Sequence, residues 1–237
     1  IMRRDEKFRV VVPAAGAGRR MAAGVPKQYL DIGGKPVLEH TIDALLSCRY
    51  VTSVVVAIAA DDERWPRILA RYAGRPVETV TGGTERCHSV LNGLDYLAET
   101  ANDDDWVLVH DAVRPCVRTD DIEALIEALG DDAVGGLLGV PVADTMKQVN
   151  AEGMVERTVL RDGLWHALTP QMFRLGLLRE ALLQTLTDGM LVTDEAAAME
   201  FAGHRPRMVQ GHKDNIKITL PADLALAEFH LQSRSAG

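Results

Sequence analysis

Residues 11–21 decide the fold, and they read Val-Val-Pro-Ala-Ala-Gly-Ala-Gly-Arg-Arg-Met. The apolar run that leads into them begins at Phe8, so the glycines follow directly on a predicted buried strand. A glycine-rich loop at the end of a buried strand allows backbone N–H groups to approach phosphate oxygens closely. The stretch therefore predicts a strand and a phosphate-binding loop of an α/β domain.

Two well-known phosphate-binding loops do not match this one. A Walker A loop ends in Gly-Lys-Ser/Thr, whereas Gly34-Lys35 is followed by proline. A dinucleotide-binding loop needs a third glycine, and Met21 stands at that position although the first two glycines fit. What remains is Gly-x-Gly-x-Arg-Met with a lysine further on, in which Arg20 and Lys27 add two fixed cations. A tight turn with exposed basic residues is the alternative, but the Pro-Ala-Ala lead-in and both cations favour a phosphate site.

Short runs rich in valine, leucine and isoleucine alternate along the chain with amphipathic stretches. The predicted strands are 8–15, 53–59, 77–80, 106–110, 135–142 and 206–210. The predicted helices are 36–47, 61–72, 86–97, 120–129, 175–186, 194–202 and 221–231. Asp120 with Glu123 resembles a capping box, and Thr193 is a candidate N-cap. The alternation predicts a three-layer, Rossmann-like α/β fold with a mostly parallel sheet and right-handed crossovers.

Residues 143–163, called the arm below, break this alternation. They are polar, they contain Asn150 and Gly153 as turn signals, and short β-prone segments lie at 145–149 and 158–160. This pattern predicts a projecting β-hairpin. An isolated hairpin is marginally stable in water, so we expect the arm to pack against another surface, such as a second subunit.

Composition limits the classes of function. A length of 237 residues, at roughly 150 residues per domain, predicts one domain over 1–237 with the arm as a subdomain. The 47% of hydrophobic residues can fill a large core, which excludes disorder for the bulk of the chain. The charge, 26 basic minus 34 acidic residues, is −8, which disfavours a general binder of nucleic acid or anionic membranes.

The cysteines and the hydropathy pattern predict the compartment. Cys48, Cys87 and Cys116 stand singly, without a C-x-x-C pair, so a disulfide framework or zinc knuckle is not expected. The longest apolar run, 54–60, is far shorter than the roughly 18 residues that span a membrane. We therefore expect a cytoplasmic protein in a reducing environment, with no signal segment and no membrane partner.

Two further segments follow predicted strands directly and contain residues suited to ligand binding. Gly82 and Gly83 follow the third strand and permit a close backbone approach to a flat ligand. Asp111 follows an apolar strand, where ligands of open α/β sheets gather, and could accept a ribose hydroxyl or help to place Mg²⁺. Zinc ligation by His110 or His166 lacks partners at ligand spacing, and the acidic run 103–105 is typical of a solvated turn.

Six further blocks, read together with the glycine loop and Pro-Lys-Gln-Tyr at 26–29, resemble a known family. The blocks are 82–86 (Gly-Gly-Thr-Glu-Arg), 109–115 (Val-His-Asp-Ala-Val-Arg-Pro), 144–147 (Asp-Thr-Met-Lys), 164–171 (Leu-Trp-His-Ala-Leu-Thr-Pro-Gln), 193–196 (Thr-Asp-Glu-Ala) and 214–219 (Asp-Asn-Ile-Lys-Ile-Thr). They are similar to nucleotidyltransferases that join a nucleoside triphosphate to a sugar or polyol phosphate. More narrowly, residues 8–231 resemble the 2-C-methyl-D-erythritol 4-phosphate cytidylyltransferase family of the non-mevalonate isoprenoid pathway.

The resemblance implies a nucleotidyltransferase fold, a homodimer formed through the arm, and Mg²⁺ or another divalent cation as cofactor. It implies transfer of the cytidylyl group of CTP to the polyol phosphate. The implied catalytic residues are Arg20, Lys27 and Lys217. The implied nucleotide-binding residues are Pro13, Ala14, Ala15, Gly16, Gly18, Gly82, Gly83, Ser89, Asp111 and Ala112, with Asp111 also the candidate metal ligand. The implied substrate-binding residues are Arg114, Thr145, Arg161, Thr169 and Thr193, of which Thr145 and Arg161 would reach the neighbouring subunit's site.

One position departs from the family pattern, and three other functions remain open at this stage. Thr84 stands where some relatives have aspartate, so base preference is not fixed by the motif alone. A ribitol 5-phosphate cytidylyltransferase would share the CTP half of the site. A nicotinamide-dependent oxidoreductase is disfavoured by the missing third glycine. A non-catalytic nucleotide-binding protein is disfavoured because Lys27, Asp111 and Lys217 are all present.

Overall fold

The computed structural model describes residues 7–16 and 24–235. Its strands are β1 (Phe8–Pro13), β2 (Asp31–Ile32), β3 (Lys35–Pro36), β4 (Val51–Ile58), β5 (Val77–Thr81), β6 (Trp106–Val109), β7 (Gly135–Pro141), β8 (Met146–Val149), β9 (Val155–Val159), β10 (Trp165–Arg174) and β11 (Arg207–Gln210). Its α-helices are α1 (Val37–Leu46), α2 (Trp65–Leu69), α3 (Arg86–Ala98), α4 (Thr119–Leu129), α5 (Leu175–Thr187), α6 (Glu195–Phe201) and α7 (Pro221–Ser235).

Seven strands form one sheet in the order β11-β7-β10-β6-β1-β4-β5. All neighbouring strands in it pair in parallel, except that β10 runs antiparallel to both β6 and β7. The two faces of β1 enter different cores: Val10 and Val12 pack with Ile42 of α1, whereas Val11 packs with Leu94 of α3. The predicted α/β fold with a mostly parallel sheet is confirmed, and the continuous apolar runs arise because both faces of the sheet are covered.

The sequence did not predict β10, the one antiparallel strand of the main sheet. Its segment contains Thr169-Pro170, and its register with β7 shifts between Ala167 and Gln171. Proline cannot donate a ladder hydrogen bond, so a proline inside a run argues against a strand. Here the irregularity in pairing accommodates it.

Local hydrogen bonds moved several element boundaries away from the predicted ones. The predicted helix 61–72 is only α2 followed by a short 3₁₀ turn over Ala70–Tyr72, because Asp62 accepts the N–H groups of Arg64 and Trp65 in a turn (2.9 and 3.0 Å). The predicted capping box at Asp120 is wrong, since α4 already begins at Thr119 and has no side-chain cap.

The N-cap predicted for α6 was displaced by one residue. Asp194 rather than Thr193 is the N-cap, and its carboxylate accepts the N–H of Ala197 at 3.0 Å. In this chain Asp194 is also fixed from the other side, because Gln171 donates to it at 3.0 Å. Propensity alone does not distinguish two adjacent capping residues, whereas this tertiary contact does.

The arm is a β-hairpin, as predicted. Strands β8 and β9 pair antiparallel, and the turn uses Asn150, whose side-chain oxygen accepts the N–H groups of Glu152 and Met154. Gly153 adopts φ +80°, the left-handed region that glycine enters without a steric penalty. The second strand lies at Val155–Val159, earlier than the predicted 158–160.

Candidate active site

A cleft of about 370 Å³ opens at the carboxyl ends of β1 and β6, where ligands of open α/β sheets bind. Of the residues implied by the sequence, it is lined by Pro13, Ala14, Ala15, Gly16, Lys27, Gly83, Ser89, Asp111, Ala112 and Lys217. Gly18 and Arg20 lie outside the described residues. The structure thus brings to one cleft segments as far apart in sequence as Pro13 and Lys217.

The start of the glycine loop is fixed by the segment that follows it. Gln28 is buried, and its amide donates to the carbonyl oxygens of Ala14 (2.8 Å) and Gly16 (3.1 Å). The N–H of Ala14 donates to Ala57 of β4 at 2.8 Å. Among residues 7–16 and 24–235, no atom lies within 4 Å of the position that a Cβ at Gly16 would take. The backbone of residues 14–16 is therefore held by Gln28 and by β4, and these residues line the cleft.

Gly82 packs directly against the first loop, and Gly83 packs against the first turn of α3. A Cβ at Gly82 would lie 2.4 Å from the Cβ of Ala15, and one at Gly83 would lie 2.3 Å from that of His88. The buried hydroxyl of Ser89 accepts the N–H of Gly83 at 3.0 Å. Gly82 does not line the cleft itself; its small size allows the two loops that form one wall to touch.

Asp111 is the centre of a cluster of charges. Its carboxylate contacts Arg86 Nε at 3.0 Å, Lys217 Nζ at 2.9 Å and Arg114 Nε at 3.4 Å. Burial alone would raise the pKa of this carboxyl, but Arg86, Lys217 and Arg114 outweigh that effect and hold the pKa well below its usual range. Asp111 is therefore ionised at neutral pH and fixes the position of Lys217 at the cleft wall.

Two charged residues of this cluster were not assigned a role from the sequence. Arg86 lines the cleft, and its two terminal nitrogens contact both carboxylate oxygens of Glu195 at 2.6 and 3.0 Å. Burial lowers the pKa of Arg86, but Glu195 and Asp111 together raise it above its ordinary value. Arg86 and Glu195 stand 109 positions apart, so only their places inside the quoted blocks could have suggested them.

The lysines enter the cleft from two segments. Lys27 Nζ donates to the carbonyl oxygen of Thr219 at 3.0 Å, and Lys217 lies two positions before that threonine. Asp223 of α7 accepts from Thr219 and from Leu220, which orders this segment. Segments 26–29 and 214–219 thus meet and present two ammonium groups to one cleft.

Two of the implied residues, Arg114 and Thr169, lie behind the cleft wall rather than at its surface. Arg114 is 9% exposed and donates to the carbonyl oxygen of Asn215 at 2.8 Å, besides contacting Asp111. The buried hydroxyl of Thr169 accepts the N–H of Asp111 at 3.1 Å and contacts His110 at 2.9 Å. Burial lowers the pKa of His110 to about 4, so its imidazole is neutral at neutral pH. In the single chain these residues support Asp111 from below.

The remaining implied residues are exposed and do not line the cleft. Thr145 and Arg161 lie at the base of the arm, where Arg161 donates to the carbonyl oxygen of Ala143. Thr193 is exposed immediately before the start of α6. The structure of one chain therefore does not bring Thr145, Arg161 or Thr193 to the cleft lining.

The described residues contain neither a metal-binding cluster nor a membrane-spanning helix. Within the described residues, no three His, Cys, Asp or Glu side chains converge in a way that could hold a metal ion. No helix in 7–16 and 24–235 is long and apolar enough to cross a membrane.

Comparison with known proteins places these features in a family context. Residues 8–233 match the model of the 2-C-methyl-D-erythritol 4-phosphate cytidylyltransferase family. The chain is 53% identical over 221 residues to the protein of that name from Vibrio vulnificus strain YJ016, covering 93% of each chain. It is 50% identical to that of Hahella chejuensis, covering 96% of this chain and 94% of the relative.

Solved structures give the same result. A crystal structure of 4-diphosphocytidyl-2C-methyl-D-erythritol synthase superposes with a TM-score of 0.84 at 37% identity, covering 96% of this chain and 99% of the other. The Francisella tularensis 2-C-methyl-D-erythritol 4-phosphate cytidylyltransferase superposes with a TM-score of 0.80 at 35% identity, covering 95% and 100%.

Proposed function

Since the chain belongs to the 2-C-methyl-D-erythritol 4-phosphate cytidylyltransferase family, we propose that it transfers the cytidylyl group of CTP to 2-C-methyl-D-erythritol 4-phosphate in isoprenoid precursor biosynthesis. The products are 4-diphosphocytidyl-2-C-methyl-D-erythritol and pyrophosphate. The observation that carries this proposal is the cleft, in which a backbone loop, Lys27 and Lys217 meet around Asp111.

The reaction needs charge stabilisation more than proton transfer. A phosphate oxygen of the polyol phosphate forms a bond to the α-phosphorus of CTP, and the bond from that phosphorus to the β-bridging oxygen breaks. The attacking oxygen is already anionic at neutral pH, so no general base is required. Negative charge spreads over the phosphoryl oxygens in the transition state, and preorganised cations stabilise it.

We assign the cations to different parts of the triphosphate. Lys27 and Arg20 hold the triphosphate beside the loop at 13–16, and Lys217 contacts the α-phosphoryl oxygens. The side chain of Lys217 is 42% exposed although it is paired with Asp111, so its ammonium group can face a ligand without leaving its partner. Removing Lys27 should lower kcat by a factor on the order of 10²–10³, because a preorganised cation that stabilises the transition state is lost.

The nucleoside half of CTP fits the other wall. We propose that the backbone at Gly82 and Gly83 and the Ser89 hydroxyl hold the cytosine edge, and that Asp111 with Ala112 holds the ribose. The ordered backbone at Gly83, bound to Ser89 at 3.0 Å, supports this assignment because an edge-on base contact requires a fixed donor and acceptor.

The donors in the cleft fit a magnesium ion that is bound mainly by the nucleotide. Mg²⁺ keeps several waters and takes one or two carboxylates together with substrate phosphates. Asp111 is the only buried carboxylate among the described lining residues, and three cations already contact it. We therefore propose that Asp111 is the protein carboxylate that would hold Mg²⁺ when CTP is bound, and that the ion would supply positive charge to stabilise the leaving pyrophosphate.

We further propose that the arm forms a homodimer and completes the polyol-phosphate half of the site. Large apolar side chains on the arm are exposed, including Met154, Val155 and Leu160. Arg161 and Thr145 would then reach the second chain's cleft. There, Arg114, Thr169 and Thr193 also serve the polyol phosphate, directly or by supporting it.

The three cysteines are free and buried, which supports a reducing, cytoplasmic compartment.

The test is pyrophosphate release from CTP and Mg²⁺ with a panel of polyol phosphates. We expect release with 2-C-methyl-D-erythritol 4-phosphate and little with ribitol 5-phosphate, and none when Mg²⁺ is chelated. Release with ribitol 5-phosphate alone would reassign the acceptor, and release with UTP equal to that with CTP would show that Thr84 relaxes base selection.

A further inference from the structure

Glu195 is the most deeply buried acidic side chain near the cleft, and the proposed chemistry gives it no role. It is 1% exposed, and its side chain does not line the cleft. A carboxylate buried this completely is costly unless a cation compensates it with good geometry. Arg86 does so with a two-nitrogen contact at 2.6 and 3.0 Å, the geometry in which guanidinium and carboxylate match best.

Arg86 connects this buried carboxylate to the site. While its terminal nitrogens bind Glu195, its Nε contacts Asp111 Oδ1 at 3.0 Å. The other oxygen of Asp111 contacts Lys217 at 2.9 Å. Glu195, Arg86, Asp111 and Lys217 therefore form a continuous chain of alternating charge that ends in the cleft.

The far end of this chain is rigidly held. Glu195 is the first residue of α6, and Gln171 of β10 binds both sides of that helix start, donating to Asp194 at 3.0 Å and accepting the N–H of Ala196 at 2.8 Å. Gln171 lies two residues after Thr169, whose hydroxyl accepts the N–H of Asp111. The contacts thus form a closed ring that returns to Asp111.

We propose that Glu195 is a positioning residue for the transfer reaction, fixing Arg86 so that Asp111 holds Lys217 in its catalytic orientation. This inference rests on the proposed function. Without the Glu195 carboxylate, Arg86 can turn to bind both oxygens of Asp111 or the anionic nucleotide itself. Either change withdraws Asp111 from Lys217, and the α-phosphoryl oxygens lose a preorganised cation while the triphosphate keeps its other contacts.

The experiment compares Glu195→Gln with Glu39→Gln, a matched buried carboxylate. Glu39 lies on α1 and contacts Arg71 at 2.5 Å, and it does not line the cleft. For Glu195→Gln we expect kcat to fall roughly tenfold or more while KM for CTP changes less than about threefold, the signature of an interaction made in the transition state. For Glu39→Gln we expect a lower melting temperature and an unchanged kcat.

A second variant tests the same contact if Glu195→Gln folds poorly. Arg86→Lys keeps the charge but cannot bind Glu195 and Asp111 together, so we expect a similar fall in kcat. The double variant should be no slower than the slower single variant, because both changes break one chain of contacts. Wild-type kcat in folded Glu195→Gln, or strictly multiplicative losses in the double variant, would overturn the inference. Failure of the wild type to release pyrophosphate would instead overturn the proposed function.

Discussion

The cleft and the arm differ in how far their side chains find partners within one chain. At the cleft, the buried carboxylates are paired: Asp111, which lines the cleft, contacts three cations, and Glu195, which lies behind it, is bound by Arg86. On the arm, large apolar side chains face solvent, with Leu160 84% exposed and Met154 67% exposed. One chain therefore satisfies the buried carboxylates at the cleft but leaves the apolar side chains of the arm uncovered.

The difference has a physical basis in how each region is supported. The cleft lies at the carboxyl ends of two interior strands of a seven-stranded sheet that has cores on both faces. The arm is a separate two-stranded sheet, and a hairpin of two strands is marginally stable in water unless it packs on something else. This contrast supports the proposal that a second copy covers the arm.

The largest effect on kcat should come from removing a cation from the cleft. Lys217→Ala deletes the ammonium group next to Asp111, and we expect kcat to fall on the order of 10²–10³ because a preorganised charge is lost. The matched control is Lys213→Ala, since Lys213 is exposed in the same segment and does not line this cleft. Steady-state kinetics with CTP and the polyol phosphate measure both, and equal losses in the two variants would contradict the specific role.

A smaller effect on kinetics is expected from removing a cation from the arm. Arg161→Ala should lower kcat/KM for the polyol phosphate about 10- to 100-fold, since one charged contact to a phosphate is lost, while KM for CTP changes little. Lys147→Ala is a control on the same arm, because its ammonium group contacts Thr158 within the hairpin.

Mixing defective subunits tests whether the two sides belong to different chains. Co-expressed Arg161→Ala and Lys217→Ala chains should regain about a quarter of the wild-type rate, since half of the dimers are mixed and each has one intact site. If the mixture is no more active than the two variants alone, Arg161 does not serve a neighbouring site.

The sequence predicted the elements that follow from local periodicity, but not those that depend on tertiary pairing. Strands 8–15 and 53–59 were predicted because the apolar runs are continuous, and both lie in the core of the sheet. Strand β10 was not predicted, because Pro170 interrupts its pattern and only the pairing with β6 and β7 compensates. The N-cap of α6 was missed for the same reason, since Gln171 selects Asp194.

The site divides in the same way. Residues close to a glycine loop or a strand end, such as Lys27 and Asp111, could be assigned because their segment already indicated phosphate chemistry. Arg86 and Glu195 could not, because each is an ordinary charged residue in the first turn of a helix until folding brings them to 2.6 Å. Contacts made over such separations have no local signal in one sequence.

The smallest expected effect is on the free energy of unfolding. It compares a buried histidine behind the cleft with an exposed histidine beside the arm. His110 is fully buried behind Asp111, and burial lowers its pKa to about 4. An unfolded histidine titrates near 6.5, so between these values the unfolded state binds more protons, and stability falls as the pH falls. From pH 7 to pH 5.5 this group should remove about 1 kcal/mol of unfolding free energy. Acid titration of Asp111, whose pKa is also lowered, affects stability only at still lower pH.

Denaturant unfolding at the two pH values measures this contribution. In His110→Asn the titrating group is absent, so the loss of stability between the two pH values should shrink by about 1 kcal/mol, whatever the variant's absolute stability. His166→Asn is the control, because that imidazole is exposed on the same strand as Thr169, beside the arm. If His110→Asn retains the full pH dependence, the lowered pKa of the buried His110 imidazole is not the source of this loss of stability.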